Sequence, residues 1–372
     1  MPPALSPVSL YVHVPFRSAP RPYDDAAYEV ISPEARRQYL SALETEAQAY
    51  AAPRLSNRAV DSIYVGGGRP SLLSLSDLRR LFAALPASAV AESTLEVSPA
   101  DATPAYLDGL VDLGVHRICV EGLSFSSAVL QSLNAPVRAD AVKQTIVEAQ
   151  AAGIDSIALD LLFGMDGLSD ETWGRTLRQA VSFPLAHLSL AEAPPLAPEA
   201  VVARQLEDAL SLLNTAGYEH YSFTHFARPG HRSRHQVHYT QHGGFLGLGP
   251  AAASLWWSQA SPPRAERWSN VETVAAYARR LHQGRSPASN HASLTAHDLG
   301  REYALLRLQT RDGLDLTTLR EASGLDLRAA AGSFLDRLRT EGLAHDAPDR
   351  VQLTPRGRML TDAITRRLLS SL

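Results

Sequence analysis

The chain has 372 residues, 45% of them hydrophobic, and a formal net charge of −4. That length suggests two or three domains, and a balance so close to neutrality proposes no nucleic-acid partner. A single cysteine, Cys119, excludes an intrachain disulfide framework, and no uncharged apolar run reaches the ~18 residues of a membrane helix. The N-terminal MPPALSPVSL has neither the basic region nor the apolar core of a signal peptide, so a cytoplasmic protein without a membrane span is expected.

Leu10, Val12 and Val14 alternate with Tyr11 and His13, which predicts a first strand; Pro15 ends it, and a loop with Pro20 and Pro22 follows. Ser32-Pro33 opens a helix that runs to about Tyr50, with Ser at the cap and Pro at the first helical position. Residues 60–65 form a second strand ending in Gly66, Gly67 and Gly68. Strands over 93–97, 117–120, 154–162 and 187–190 then alternate with helices over about 74–85, 103–114, 139–152, 172–181 and 198–216. The 154–162 run is nearly all apolar, which suits a strand covered on both faces. Six alternations argue a parallel sheet with right-handed crossovers. Periodicity alone does not separate a doubly wound sheet from a barrel. Cys119, in the run Arg-Ile-Cys-Val, reads as a small buried hydrophobe.

Between 218 and 254 the pattern changes to short strands rich in His and Gly. A helix over 271–283 and a linker over 287–293 precede a winged-helix-like segment whose wing strands are 343–345 and 351–353. Its Arg301, Arg307 and Arg311 are mixed with acids, so no one-signed face for nucleic acid emerges. The expected units are 1–217, 218–290 and 294–372.

Residues 9–25, SLYVHVPFRSAPRPYDD, resemble the first strand and cluster loop of one radical SAM family, the oxygen-independent coproporphyrinogen III oxidases and HemW heme chaperones. The family pattern is roughly Tyr-[Ile/Val]-His-[Ile/Val]-Pro-Phe-Cys-x-x-x-Cys-x-Tyr-Cys. Tyr11, His13, Pro15, Phe16 and Tyr23 match, but the three cysteine positions hold Arg17, Arg21 and Asp24. Iron–sulfur clusters need soft thiolates, and a guanidinium has no lone pair to give. The expectation is therefore no [4Fe–4S] cluster and no radical chemistry, with Arg17 and Arg21 near the barrel mouth, paired with Asp24, Asp25, Glu96 or a ligand carboxylate.

Other stretches resemble the same family in its own order: Gly-Gly-Gly-Arg-Pro-Ser-Leu-Leu73 with Arg69 for Thr, Glu96-Val-Ser-Pro99, Glu121-Gly-Leu-Ser-Phe125 for Gly-Val-Gln-Ser-Phe, Leu159-Asp-Leu-Leu-Phe-Gly164, Phe226-Ala-Arg-Pro-Gly230 and Leu246-Gly-Leu-Gly249. The resemblance implies an α/β fold, a (β/α)6 partial TIM barrel with a small C-terminal winged-helix-like domain. It also implies S-adenosylmethionine (SAM) contacts at Tyr11, Gly66, Gly67, Gly68, Glu96 and Asp160. Leu123 and Ala135 stand where the family has Gln and Arg, so SAM is expected to be lost with the cluster, leaving the two carboxylates as a satisfied polar lining. Taken without the family, the glycine run either offers backbone N–H groups to a ligand or makes a tight strand-to-loop turn.

The heme motif of HemW, His-Asn-x-x-Tyr-Trp, reads His235-Gln-Val-His-Tyr-Thr240 here, keeping His235 and Tyr239. The resemblance makes His235 the candidate axial ligand of heme iron; the alternative is a hydrogen-bonded polar residue near the barrel mouth. No catalytic residue is assigned. The leading expectation is a cluster-free relative that binds heme or delivers it to an accepting protein. The alternatives are an enzyme using SAM or a porphyrin without a cluster, and a partner-binding scaffold.

Overall fold

The computed structural model describes residues 7–19, 28–87, 90–258 and 264–370. Six parallel strands carry the first half: β1 (Val8–Val14), β2 (Val60–Gly67), β3 (Glu92–Val97), β4 (Arg117–Leu123), β5 (Ser156–Phe163) and β6 (His187–Glu192). Each is followed by a helix. Ser32, Thr103 and Ser169 cap the helices they precede by accepting the N–H of Ala35, Tyr106 and Thr172. The outward residues Leu10, Val12, Val65, Leu95, Ile118, Leu159 and Leu188 are fully buried under these helices. Burial of such side chains, worth about 1.5–3 kcal/mol each, drives the packing of this layer.

The inward residues are different in kind. Tyr11, Tyr64, Glu96, Cys119, Asp160 and Ser189 line a concave polar face. β5 is covered on both faces, as expected: Leu159 and Leu161 enter the core, and on the inward face Asp160 is half-buried between buried Ala158 and Leu162. Cys119, expected among hydrophobes, is buried but on the polar face.

The sheet extends at both edges to twelve strands among the described residues. Beside β6 lie β7 (Glu219–Ser222) and β8 (His225–Ala227), antiparallel. Beside β1, β9 (Phe245–Leu248) adds a further parallel strand, followed by the antiparallel β10 (Ala253–Trp257), β11 (Ala265–Asn270) and β12 (Ala288–Leu294). The last of these overturns the expected linker over 287–293. It is an exposed edge strand of Ser, Asn and His, with no apolar alternation to reveal it.

The C-terminal segment packs helices Ala296–Leu308, Leu316–Ser323 and Leu327–Thr340 around its own core of Leu308, Leu319, Leu335 and Leu353. Its wing is smaller than expected: Ala344 and Leu353 form a single bridge, and Leu314–Asp315 pairs with Arg350–Val351. The Arg311 N–H donates to the Tyr221 carbonyl at 3.0 Å, which joins this segment to the barrel. Among the described residues no helix is long and apolar enough to cross a membrane.

Candidate functional site

The open side of the partial barrel is closed by the chain around residues 231–240. Its helix, Arg234–Thr240, is capped by Ser233, which accepts the Gln236 N–H. Glu92 holds this segment in place: its carboxylate accepts the Arg234 N–H at 2.9 Å and the Nε–H of Arg117 at 3.0 Å, and Arg117 Nη2 donates to the His231 carbonyl at 3.0 Å. Between strands and segment lies a cavity of about 370 Å³, within the range of small-molecule sites.

At the strand C-terminal ends, Glu96 accepts the Tyr64 hydroxyl at 2.8 Å and the Gly67 N–H at 3.1 Å. Burial raises its pKa despite these bonds and the nearby Arg17. Asp160 is pushed up to about 7, first by burial, then by the charge of Glu96, against a hydrogen bond from Ser189. The glycine run serves the chain itself. Gly68 donates to the Val14 carbonyl at 2.7 Å, and a Cβ there would lie 2.2 Å from the Phe16 carbonyl oxygen. Gly67 has φ +110°, and a Cβ would meet the His13 ring at 2.5 Å. The N–H groups of Gly67 and Gly68 are therefore committed to Glu96 and Val14, which favours the tight-turn reading of this run.

The described residues just after β1 meet ions of opposite sign. Arg17 is buried, lies 3.6 Å from Glu121, and stacks over Tyr28 at 4.5 Å. Arg69, also buried, makes a two-pronged pair with Asp101 at 2.6 Å and donates to Ser18 at 3.0 Å. Arg17 thus stands at the barrel mouth as expected and near Glu96, and among the described residues a carboxylate 3.6 Å from it is that of Glu121 on β4. Arg21, Tyr23, Asp24 and Asp25 lie outside the described residues. These side chains do not fit a [4Fe–4S] cluster: a guanidinium occupies the first cysteine position, and Cys119, on β4, is the sole thiol of the chain. Leu123, buried and apolar, offers no polar contact where the family has Gln.

At the other end of the cavity stands His235. Its ring lies 5.1 Å from that of Tyr64 and 6.4 Å from that of Tyr11. Its Nδ1 is 3.3 Å from Ser62 Oγ, whose own proton goes to Ser9 Oγ at 2.9 Å. Ser62 is left as an acceptor, which assigns the imidazole proton to Nδ1 and leaves the Nε2 lone pair available. Burial, with some help from His238, holds the His235 pKa down at about 4. A neutral imidazole with one nitrogen fixed and the other basic fits an axial ligand of heme iron. Tyr239, 44% exposed, is at the cavity rim.

Five expected site residues therefore line one cavity: Tyr11, Glu96, Asp160, His235 and Tyr239. Of the three glycines, Gly66 and Gly67 touch it through Glu96, whereas Gly68 backs onto the loop. His235 sits deeper than the barrel mouth, beside residues early in β1 and β2. Sequence reasoning missed Tyr64, Arg117, Cys119, His187 and Ser189. Their signal was the polar residue recurring at every second place in strands otherwise apolar. Among the described residues no group of three or more His, Cys, Asp or Glu is arranged to hold a metal ion.

A polar-lined partial barrel carrying a small helical C-terminal domain is the radical SAM architecture of the coproporphyrinogen oxidase type. The solved coproporphyrinogen III oxidase HemN of Escherichia coli shares this fold, with a TM-score of 0.83 at 22% identity over 99% of this chain and 91% of that one. The Radical SAM superfamily model matches residues 26–180, starting beyond the loop that lacks cysteines, and the HemN C-terminal domain model matches 294–360. Heme chaperone HemW of Mycobacterium tuberculosis is 31% identical over 98% of this chain and 95% of its own length. HemW of Bacillus subtilis is 25% identical over 98% and 100%. The chain belongs to the family of HemW and oxygen-independent coproporphyrinogen III oxidases.

Proposed function

We propose that this protein binds heme as cargo, with His235 as iron ligand, and that it does so without a [4Fe–4S] cluster, without SAM and without radical chemistry. The observation that carries the reading is the relay His235–Ser62–Ser9, which leaves a basic Nε2 on a ring already held neutral. Its relatives named heme chaperones supply the class of ligand and the idea of a heme-accepting partner. Bound heme would supply a Lewis-acidic iron with an open axial position. The protein's part is to orient the imidazole, keep its proton on Nδ1 and exclude water.

The cluster-free half of the proposal rests on chemistry at the mouth. Arg17 pairs with Glu121, and Gly67 and Gly68 spend their N–H groups on the chain itself. Glu96 and Asp160 remain as polar lining.

Ser62→Ala tests the relay. It removes the acceptor that fixes the imidazole and leaves the ligand in place, so heme affinity should fall about 10-fold with an unchanged Soret position. Unaltered affinity in this variant removes the relay from the site.

A further inference from the structure

A second cavity, of about 810 Å³, lies between the helix Glu199–Thr215, β7 and the C-terminal segment. On its wall stands Arg358, which is only 5% exposed. Buried arginines are ordinarily matched by a carboxylate. Arg358 is not: no ion pair to it occurs among the described residues, and its partners are neutral. Nε and Nη2 lie 3.3 and 3.0 Å from Nδ1 of His220, and Nη1 donates to the Leu353 carbonyl at 3.2 Å.

His220 cannot supply the missing charge. Its Nε2 lies 3.0 Å from the Phe223 carbonyl and donates to it, so Nδ1 carries the lone pair that Arg358 meets. Burial and the Arg358 charge hold this imidazole neutral, down at about 3. Arg358 is itself held down at about 10 by burial and by Arg311, so a second cation is within reach. Arg311 is half exposed and lines the same cavity. Two acids stand nearby and both are shared: Glu219 lies 3.6 Å from Arg311 and 3.0 Å from Arg232, and Asp312 lies 3.7 Å from Arg232 and 3.7 Å from Arg307. With Arg358 these are four guanidinium groups against two carboxylates, so positive charge is left over. A guanidinium has five N–H groups, and three contacts leave about two of them free to form a fork. Leu210, Tyr218 and Pro355 add apolar wall.

We propose that this interdomain groove binds an oxyanion, a carboxylate or a phosphate carried on a small apolar body, with Arg358 and Arg311 as its cationic clamp. The site does not depend on heme binding. Because its walls come from the barrel and from the C-terminal segment, an anion there fastens the two together.

The test uses the full chain, with sodium succinate and sodium phosphate as probes and sodium chloride at equal ionic strength as control. Calorimetric titration and thermal unfolding are measured for the parent, Arg311→Gln and Arg358→Gln. Saturable binding of succinate or phosphate, with a raised unfolding midpoint, is expected. Arg311→Gln, an exposed change that leaves the fold intact, should weaken binding about 10-fold, and Arg358→Gln at least as much. Preference for succinate identifies a carboxylate ligand, and preference for phosphate a phosphate ligand; either supports the site. Stabilisation equal to that given by chloride, or binding unchanged in Arg311→Gln, overturns it. Should Arg358→Gln fail to fold, the Arg311→Gln result decides alone.

Discussion

Arg17 and Glu121 lie 3.6 Å apart at the mouth of the barrel, and both depart from the family pattern. Arg17 replaces a cluster cysteine, and Glu121 replaces the glycine of Gly-Val-Gln-Ser-Phe. Either change alone would place a charge in a largely buried setting, where an uncompensated ion is costly. Together they neutralise each other, with Tyr28 stacked on the guanidinium.

This coupling is measurable by urea unfolding of Arg17→Gln, Glu121→Gln and the double variant. Each single change should cost about 1–2 kcal/mol, and the double change less than their sum by about 1 kcal/mol. Additive costs would show that the two side chains do not stabilise each other.

Asp160 gives a pH signature. Its carboxyl sits at about 7 in the folded chain against 3.8 ordinarily, so between those values the native state holds a proton that the unfolded state has released. The stability this group contributes is full below about pH 4 and is lost as pH rises through about 7. Asp160→Asn, which cannot ionise, should match the parent at pH 4 and exceed it by about 2–4 kcal/mol at pH 8. Chemical denaturation at both pH values checks this; a parent as stable as the variant at pH 8 contradicts it.

In Asp160→Asn, which removes the cavity carboxyl held at about 7, heme binding should be flat in pH over the range where an ordinary histidine titrates. With His235 held down at about 4, no proton has to leave it between pH 5.5 and 8. His235→Ala should weaken binding at least about 10-fold and move the Soret band, because the axial ligand sets the field at iron. His238→Ala is the control, since that ring bonds the Gly244 carbonyl at 2.9 Å. A loss of affinity with a midpoint near pH 6.5 would point to a different, solvated histidine.

Anaerobic incubation with iron and sulfide should leave labile sulfide far below one cluster per chain. Cys119 is buried with its thiol pKa pushed well up, so it supplies no thiolate. Stoichiometric sulfide with a cluster EPR signal after reduction would overturn the cluster-free account.

Much of the barrel was legible because its signals are local. Alternation marked the strands, and Ser32-Pro33 and Thr103-Pro104 marked helix starts. The cavity was less so. A polar residue at every second place also describes a solvated face, and Tyr64, Arg117 and His187 become a lining only when residues 231–240 return to close the lumen. That closure joins Arg234 to Glu92, 142 positions apart. Glu121 could not be matched to Arg17 for the same reason. Strands β11 and β12 escaped notice on related grounds: β11 carries Glu266, Arg267 and Ser269 with no apolar alternation, and β12 is a polar edge with no period to read.

The central claim is that heme binds this chain without a cluster. Titrating hemin into protein purified aerobically, with no added iron, sulfide or SAM, tests it directly by absorbance. The account predicts a saturable Soret band at one heme per chain, shifted in position in His235→Ala. No saturable band, or one identical in His235→Ala, would contradict it.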